Sequence, residues 1–270
     1  MNIIQSIILG IIQGLTEFLP ISSSGHLILA QNLFGIKEAT LAFDVALHLG
    51  TALALIIFFW KDWIKLIKAF FRSFKKFDLK NDTEQRLIYF LIIASIPGAL
   101  FGILLEKQAE TVFRSTYLVL ANLVIISFVF IIVEKVAKKV RDLKQTNLRD
   151  SLAIGFSQAL AIIPGVSRSG ITITAGLFSG LKREAAARFS FLMATPIILG
   201  AGLLSFKDIV AQGENGTGWI NIVVGFLVSA IVGFLTIKYL LRYLKNHTLN
   251  IFAYYRFLLV AAIIIYLLIT

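Results

Sequence analysis

The sequence predicts an all-α polytopic membrane protein: six transmembrane helices plus two re-entrant helical hairpins, set as inverted-topology repeats. Three observations carry this. Of 270 residues, 58% are hydrophobic and 15% charged, against roughly 45–50% apolar and about 25% charged in soluble domains. Six apolar runs are long enough to cross a bilayer. Two further apolar segments are too short to cross, and each breaks at a proline followed by Ser and Gly.

The first short segment, Ile3 to Thr16, has 14 residues, which at about 1.5 Å per residue reach about 21 Å, short of a hydrocarbon core roughly 30 Å thick. Pro20 and a serine cluster follow, predicting a re-entrant hairpin over residues 1–36. Spans follow over Val45 to Trp60, Leu87 to Leu105 and Thr116 to Val133. A second short segment, Ser151 to Ile163, ends at Pro164 and predicts a hairpin over residues 151–181. Such broken helices are tolerated only where buried in protein or lining a cavity. The last three spans are Phe189 to Phe206, Trp219 to Ile237 and Ile251 to Ile269.

Positive charge orients the spans. Residues 61–86 carry eight Lys/Arg and residues 135–149 six, while Glu106 to Arg114 carries two and Lys207 to Gly218 one. The first two loops are therefore predicted to be cytoplasmic. Threading the chain through those sides puts the first hairpin outside and the second inside. An offset of 145 residues independently pairs Gly10 with Gly155, Gln13 with Gln158, Ser22 with Ser167, Ser24 with Ser169 and Gly25 with Gly170, and continues through Ala30/Ala175, Gly35/Gly180 and Lys37/Lys182. The predicted organisation is a first repeat over 1–135, a cytoplasmic linker over 136–150 and a second repeat over 151–270.

Composition also excludes function classes. With no cysteine, disulfides, thiolate nucleophiles and thiolate metal sites are out. The net charge of +11 lies in loops between apolar spans, where it orients a membrane protein rather than binding nucleic acid. The N-terminus has neither a basic n-region nor a small-residue cleavage site and reads as mature structure.

The chemistry concentrates at the two breaks. Gln13 and Glu17, four apart, share a helical face. Pro20 breaks that helix, and Ser22, Ser23, Ser24, Gly25 and His26 open the next, whose free N–H groups and positive dipole end favour an anion. The second break offers Ser167, Arg168, Ser169, Gly170 and Thr172, adding a permanent cation able to clamp phosphate bidentately. Serines and glycines of membrane helices also serve close packing, and Glu17 and Arg168 could form a plain ion pair. Ionisable groups inside apolar segments are costly enough to read as functional. Asp44 and His48, also four apart, are either a rival acid/base pair or a support for the hairpin. His247 is expected to be solvated, and Arg188 and Arg256 either to snorkel to head groups, the favoured reading, or to help hold a diphosphate.

At these residues the sequence resembles the undecaprenyl-diphosphate phosphatase family of bacitracin-resistance type, through Gln13 to Glu17 with Phe18-Leu19-Pro20, Ser22 to His26, and Pro164-Gly-Val-Ser-Arg168-Ser-Gly170. Phe43 to Gly50 and Phe189 to Pro196 also look like family segments, so the likeness covers essentially the whole chain. The resemblance implies a multi-pass enzyme of the bacterial inner membrane. It would dephosphorylate undecaprenyl diphosphate to undecaprenyl phosphate, recycle the lipid carrier for peptidoglycan synthesis and give bacitracin resistance. It also implies an outward-facing site and dependence on a divalent cation, Mg or Ca. The family's acidic motif can carry Glu at both ends; here the first is Gln13, leaving Glu17 the only carboxylate of the hairpin and the expected metal ligand.

Glu17, Ser23, His26 and Arg168 are thus the expected catalytic residues. Gln13, Ser22, Ser24, Gly25, Ser167, Ser169, Gly170 and Thr172 are expected to bind a polyprenyl diphosphate within the bilayer. By family likeness Ser23 attacks, with His26 or Glu17 as base; water activated by Glu17 and a cation is equally writable. The rival class is a transporter or flippase of polyprenyl phosphate, because inverted repeats with broken helices are a transporter architecture. A second lipid phosphatase type is discarded for want of its Arg-Pro pair. A homodimer is left open.

Overall fold

A computed structural model describes residues 1–36, 41–105 and 116–269 of the chain. Its regular elements are helices: α1 (Ile3–Thr16), α2 (Ser23–Leu33), α3 (Leu41–Phe58), α4 (Trp60–Ser73), α5 (Thr83–Leu104), α6 (Thr116–Val136), α7 (Leu148–Ala159), α8 (Arg168–Phe178), α9 (Arg183–Leu204), α10 (Phe206–Asn215), α11 (Trp219–Leu244) and α12 (Asn250–Ile269). Among the described residues, five helices are long and apolar enough to cross a membrane, and a sixth span results if α3 and α4, bent by 79°, count as one. The protein is an all-α polytopic membrane protein. The loop from Glu106 to Arg114 and Lys37 lie outside the described residues.

The offset of 145 residues seen in sequence recurs in local structure. Asn2 caps α1 and Asn147 caps α7, each in a reciprocal capping box with the residue three further on, Gln5 and Asp150. The short first helices then give way to α2 and α8, which begin at residues 23 and 168. The residues just before them, Ser22 and Ser167, have φ of 75° and 72°, a left-handed conformation uncommon for a residue with a side chain. Both second helices close alike. The Ile36 amide donates to Gln31 O and the Leu181 amide to Gly176 O, across Gly35 and Gly180 at φ of 63° and 94°.

Two expectations need correction. The first span does not run to Trp60: α3 ends at Phe58, and Trp60 opens α4, where Lys61, Lys65, Lys68 and Arg72 alternate with exposed Ile64, Ile67 and Phe71. That is the pattern of an interfacial helix. Residues 206–215, which begin at the expected end of a span and run through most of the predicted outer loop of 207–218, are likewise helical, as α10. The two extra helices stand at matching offsets, and charges interrupting an apolar run had hidden their 3.6-residue period.

The chain divides into two compact units. Unit 1 comprises residues 1–18, 23–89 and 191–240. In it α1 packs on α2 and α3, and Leu9, Leu27, Phe43, Leu47, Ile209 and Ile222 form a buried core. Gly10 and Gly14 let α1 approach α11 closely: a Cβ would stand 2.8 Å from Gly225 O at the first and 2.7 Å from Val232 Cβ at the second. Ser229 Oγ donates to Leu47 O at 2.8 Å.

Unit 2 comprises residues 19–22, 90–190 and 241–270. Here α12 packs along α6, and α7 and α6 on α8. A buried carboxylate, Glu134, accepts from Arg183 Nε at 2.8 Å and Nη2 at 2.6 Å, from Lys139 Nζ at 3.0 Å and from the Leu249 amide at 2.9 Å. Arg141 grips Asp150 through two bonds of 2.9 and 2.7 Å. The Asp150 hydrogen bond holds the Arg141 guanidinium above its ordinary pKa, against desolvation.

Candidate active site

The first hairpin supplies a carboxylate with hydrogen-bond donors converging on one oxygen. Because α1 runs unbroken to Thr16 and the Glu17 amide still donates to Gln13 O at 3.0 Å, Gln13 and Glu17 remain on one face. Pro20 and the left-handed Ser22 then reverse the chain, so Ser23 opens α2 beside the end of α1. Glu17 Oε2 accepts from Ser23 Oγ at 2.7 Å and from Gln13 Nε2 at 2.9 Å. His48 Nε2 lies 3.5 Å from the same oxygen. Gln13 and Glu17 are buried, at 0% and 7% exposure, where a hydrogen bond to a charge is strongest.

A serine hydroxyl donating to a buried carboxylate has the geometry that a nucleophile has with a general base. Of the Asp44–His48 pair, it is the histidine that joins the hairpin. His48 Nδ1 stands 2.7 Å from Asp44 O. Asp44 accepts instead from Gln31 Nε2 at 2.8 Å. Sequence spacing could place His48 on a helix but not against Glu17, which is a contact between elements. His26 follows Ser23 by one turn of α2 and is half-buried; Gly25 is buried and Ser24 exposed.

The second hairpin is described within unit 2. Ser167 caps α8, its Oγ accepting from the Gly170 amide at 3.2 Å, and lies 3.3 Å from Ser169 Oγ. Arg168, the first residue of α8, is half-buried. Thr172 is fully buried one turn behind, donating to Arg168 O at 2.7 Å and lying 2.6 Å from Ser190 Oγ. Gly170 faces Phe130, whose Cζ would be 2.6 Å from an added Cβ. Ser169 Oγ donates at 3.2 Å to Leu19 O, so the break of the first hairpin, Leu19–Ser22, is held by the second. Arg188 pairs with Glu184 at 3.2 Å, and His247 is exposed and stacked on Tyr243.

Arg256 departs from expectation. It does not snorkel: it is 0% exposed, with its guanidinium bonded to main-chain carbonyls at both breaks. Its place at the start of an apolar run suggested an interfacial residue, but the folded chain closes over it.

The bacitracin resistance protein BacA family matches residues 6–262. The chain belongs to that family. This BacA-family chain is 49% identical over 264 residues to the undecaprenyl-diphosphatase of Moorella thermoacetica, covering 98% of this chain and 97% of the relative. It is 48% identical over 265 residues to that of Pelotomaculum thermopropionicum, with the same coverages. To that of Rubrobacter xylanophilus it is 44% identical over 265 residues, covering 97% of each.

Two oxygens of this site are of the kind that a divalent cation, expected from the sequence resemblance, would meet. Glu17 offers a carboxylate, and Gln13 Oε1 is a buried oxygen with no hydrogen-bond partner among the described residues. Hard cations take such oxygens. No cluster of three His, Cys, Asp or Glu able to hold a metal occurs among the described residues. A cation here would therefore draw much of its coordination from phosphate oxygens, as Mg commonly does.

Proposed function

We propose that this chain dephosphorylates undecaprenyl diphosphate to undecaprenyl phosphate in the bacterial cytoplasmic membrane, with its site open to the outer side. This recycles the carrier for peptidoglycan synthesis and confers bacitracin resistance. The observation that carries the reading is the 2.7 Å bond from Ser23 Oγ to the buried Glu17 carboxylate. Membership of a family whose relatives are named for this reaction supports it.

Ser23 Oγ attacks the terminal phosphorus while Glu17 accepts the hydroxyl proton. The bond from that phosphorus to the bridging oxygen breaks, undecaprenyl phosphate leaves, and water then hydrolyses the phosphoserine. Gln13 and His48 hold Glu17 in place, and His26 serves as a further proton carrier. Arg168, with the amides and hydroxyls that open α8, neutralises the diphosphate; such positioning and charge neutralisation supply most of the catalysis in phosphoryl transfer. Glu17 and Gln13 would hold a Mg or Ca ion, which when bound supplies charge neutralisation at the phosphates. In this reading the two halves of the chain have inverted topology, as in transporters with broken helices.

The test is phosphate release from undecaprenyl diphosphate by the purified protein in detergent, where no sidedness exists and transport cannot register. Release that is lost in Glu17→Ala and Arg168→Ala is the expected result. Near-normal turnover in either folded variant refutes the assignment, and no release by the wild type leaves the transporter reading.

A further inference from the structure

One side chain outside the reacting set touches both breaks. The guanidinium of Arg256, on α12, makes five hydrogen bonds among the described residues, and every one goes to a main-chain carbonyl. Nε donates to Leu123 O at 3.2 Å, Nη1 to Pro20 O at 3.3 Å and Val166 O at 3.4 Å, and Nη2 to Asn122 O at 3.2 Å and Gly165 O at 2.7 Å. A guanidinium has five N–H donors, and all five are used.

The pairing follows the repeat. Pro20 and Gly165 are 145 positions apart, as are Leu19 and Pro164. Arg256 takes the first pair of equivalent carbonyls. The second pair is taken by Ser169 Oγ, at 3.2 Å from Leu19 O, and by Asn122 Nδ2, at 2.9 Å from Pro164 O. Carbonyls freed by a helix break within an apolar protein must find donors. Phe130 completes the clamp, with its ring 5.3 Å from Arg256 Cζ and its edge pressed on Gly170. Lysine, with three donors on one atom, could not span both breaks.

We infer that Arg256 is a positioning residue for the phosphoryl transfer proposed above: it fixes the breaks 19–22 and 164–167 in one arrangement and, through them, the residues that follow each, Ser23 and Arg168. An ionisable group buried at membrane depth is costly enough to be retained for function. The inference rests on the phosphatase reading, and wild-type phosphate release in detergent checks that reading separately.

The experiment compares wild type with Arg256→Lys and Arg256→Met on undecaprenyl diphosphate in detergent, with kcat referred to folded protein by size-exclusion and thermal melting. The expected result for Arg256→Lys is a fall in kcat of about 10²-fold, the scale for a misplacement near 1 Å, with KM changed by less than about threefold because Arg256 does not touch substrate. A merely structural arginine would lower the melting temperature and the folded fraction but leave kcat per folded molecule unchanged. Folded Arg256→Lys with kcat near wild type, or with its loss confined to KM, overturns the inference. If neither Arg256 variant folds, Asn122→Ala, which frees only Pro164 O, decides it. A fall in kcat of about tenfold or more in the folded protein is then expected from the loss of one such bond to the break, and an unchanged kcat overturns the clamp.

Discussion

Glu17→Gln isolates proton acceptance from shape. The amide is nearly isosteric with the carboxylate and can still accept from Ser23 Oγ, now 2.7 Å from Glu17 Oε2, but it cannot take the proton. A general base contributes about 10²–10⁴-fold, or about 2.7–5.4 kcal/mol at about 1.36 kcal/mol per tenfold. Because Glu17 is 7% exposed, water cannot readily substitute as the acceptor, so the upper half of that range is expected. The assay is single-turnover phosphate release from undecaprenyl diphosphate in detergent, which reads the chemical step free of product release. Thermal stability should be retained or raised, since a buried charge is removed. More than about one-tenth of wild-type single-turnover rate would refute the carboxylate as base, given the minimum of about 10²-fold.

Further outcomes follow from other parts of the molecule. Ser23→Ala should leave no phosphoserine on rapid acid quench, whereas wild type should yield one; sustained turnover in Ser23→Ala would move the attack to water. Gln13→Glu adds a second carboxylate beside Glu17, so the cation concentration for half-maximal activity should fall at least several-fold in a metal titration. Glu134→Gln breaks a buried network of Arg183, Lys139 and the Leu249 amide, and thermal melting should show a loss of about 3–5 kcal/mol while kcat per folded molecule is kept. Gly170→Ala would place a Cβ 2.6 Å from Phe130 Cζ, and overpacking of about 1–3 kcal/mol should appear in the same measurement.

The repeat was legible because it is written in residue types that the breaks need: serine before each half-helix and a glycine at each helix end. The left-handed Ser22 and Ser167 were legible only as a pair of serines, since φ is set by the fold around them. Span ends were placed to within seven residues, the largest differences being the start of α9 at Arg183 and the end of α11 at Leu244, but the bend at Phe59 escaped, because neither proline nor glycine marks it. The helices over 60–73 and 206–215 escaped because their charges interrupt hydropathy while preserving helical period. Of the candidate site, Glu17, Gln13 and Ser23 were close in sequence and their contact could be inferred. His48 reaches Glu17, and Arg256 the breaks, from other helices, and tertiary contacts of that kind leave no local spacing to read.

The bond from Arg256 to Gly165 joins residues 91 positions apart. At about 5–20 residues per second of synthesis, the guanidinium is made roughly 5–18 s after the break it holds. Through that interval the nascent chain lacks the five bonds that Arg256 makes. Under the positioning role inferred for Arg256, phosphate release is expected only from chains long enough for α12 to dock along α6. Ribosome-stalled chains ending before residue 256 should bind the bilayer yet release no phosphate, and release by such chains would contradict this order.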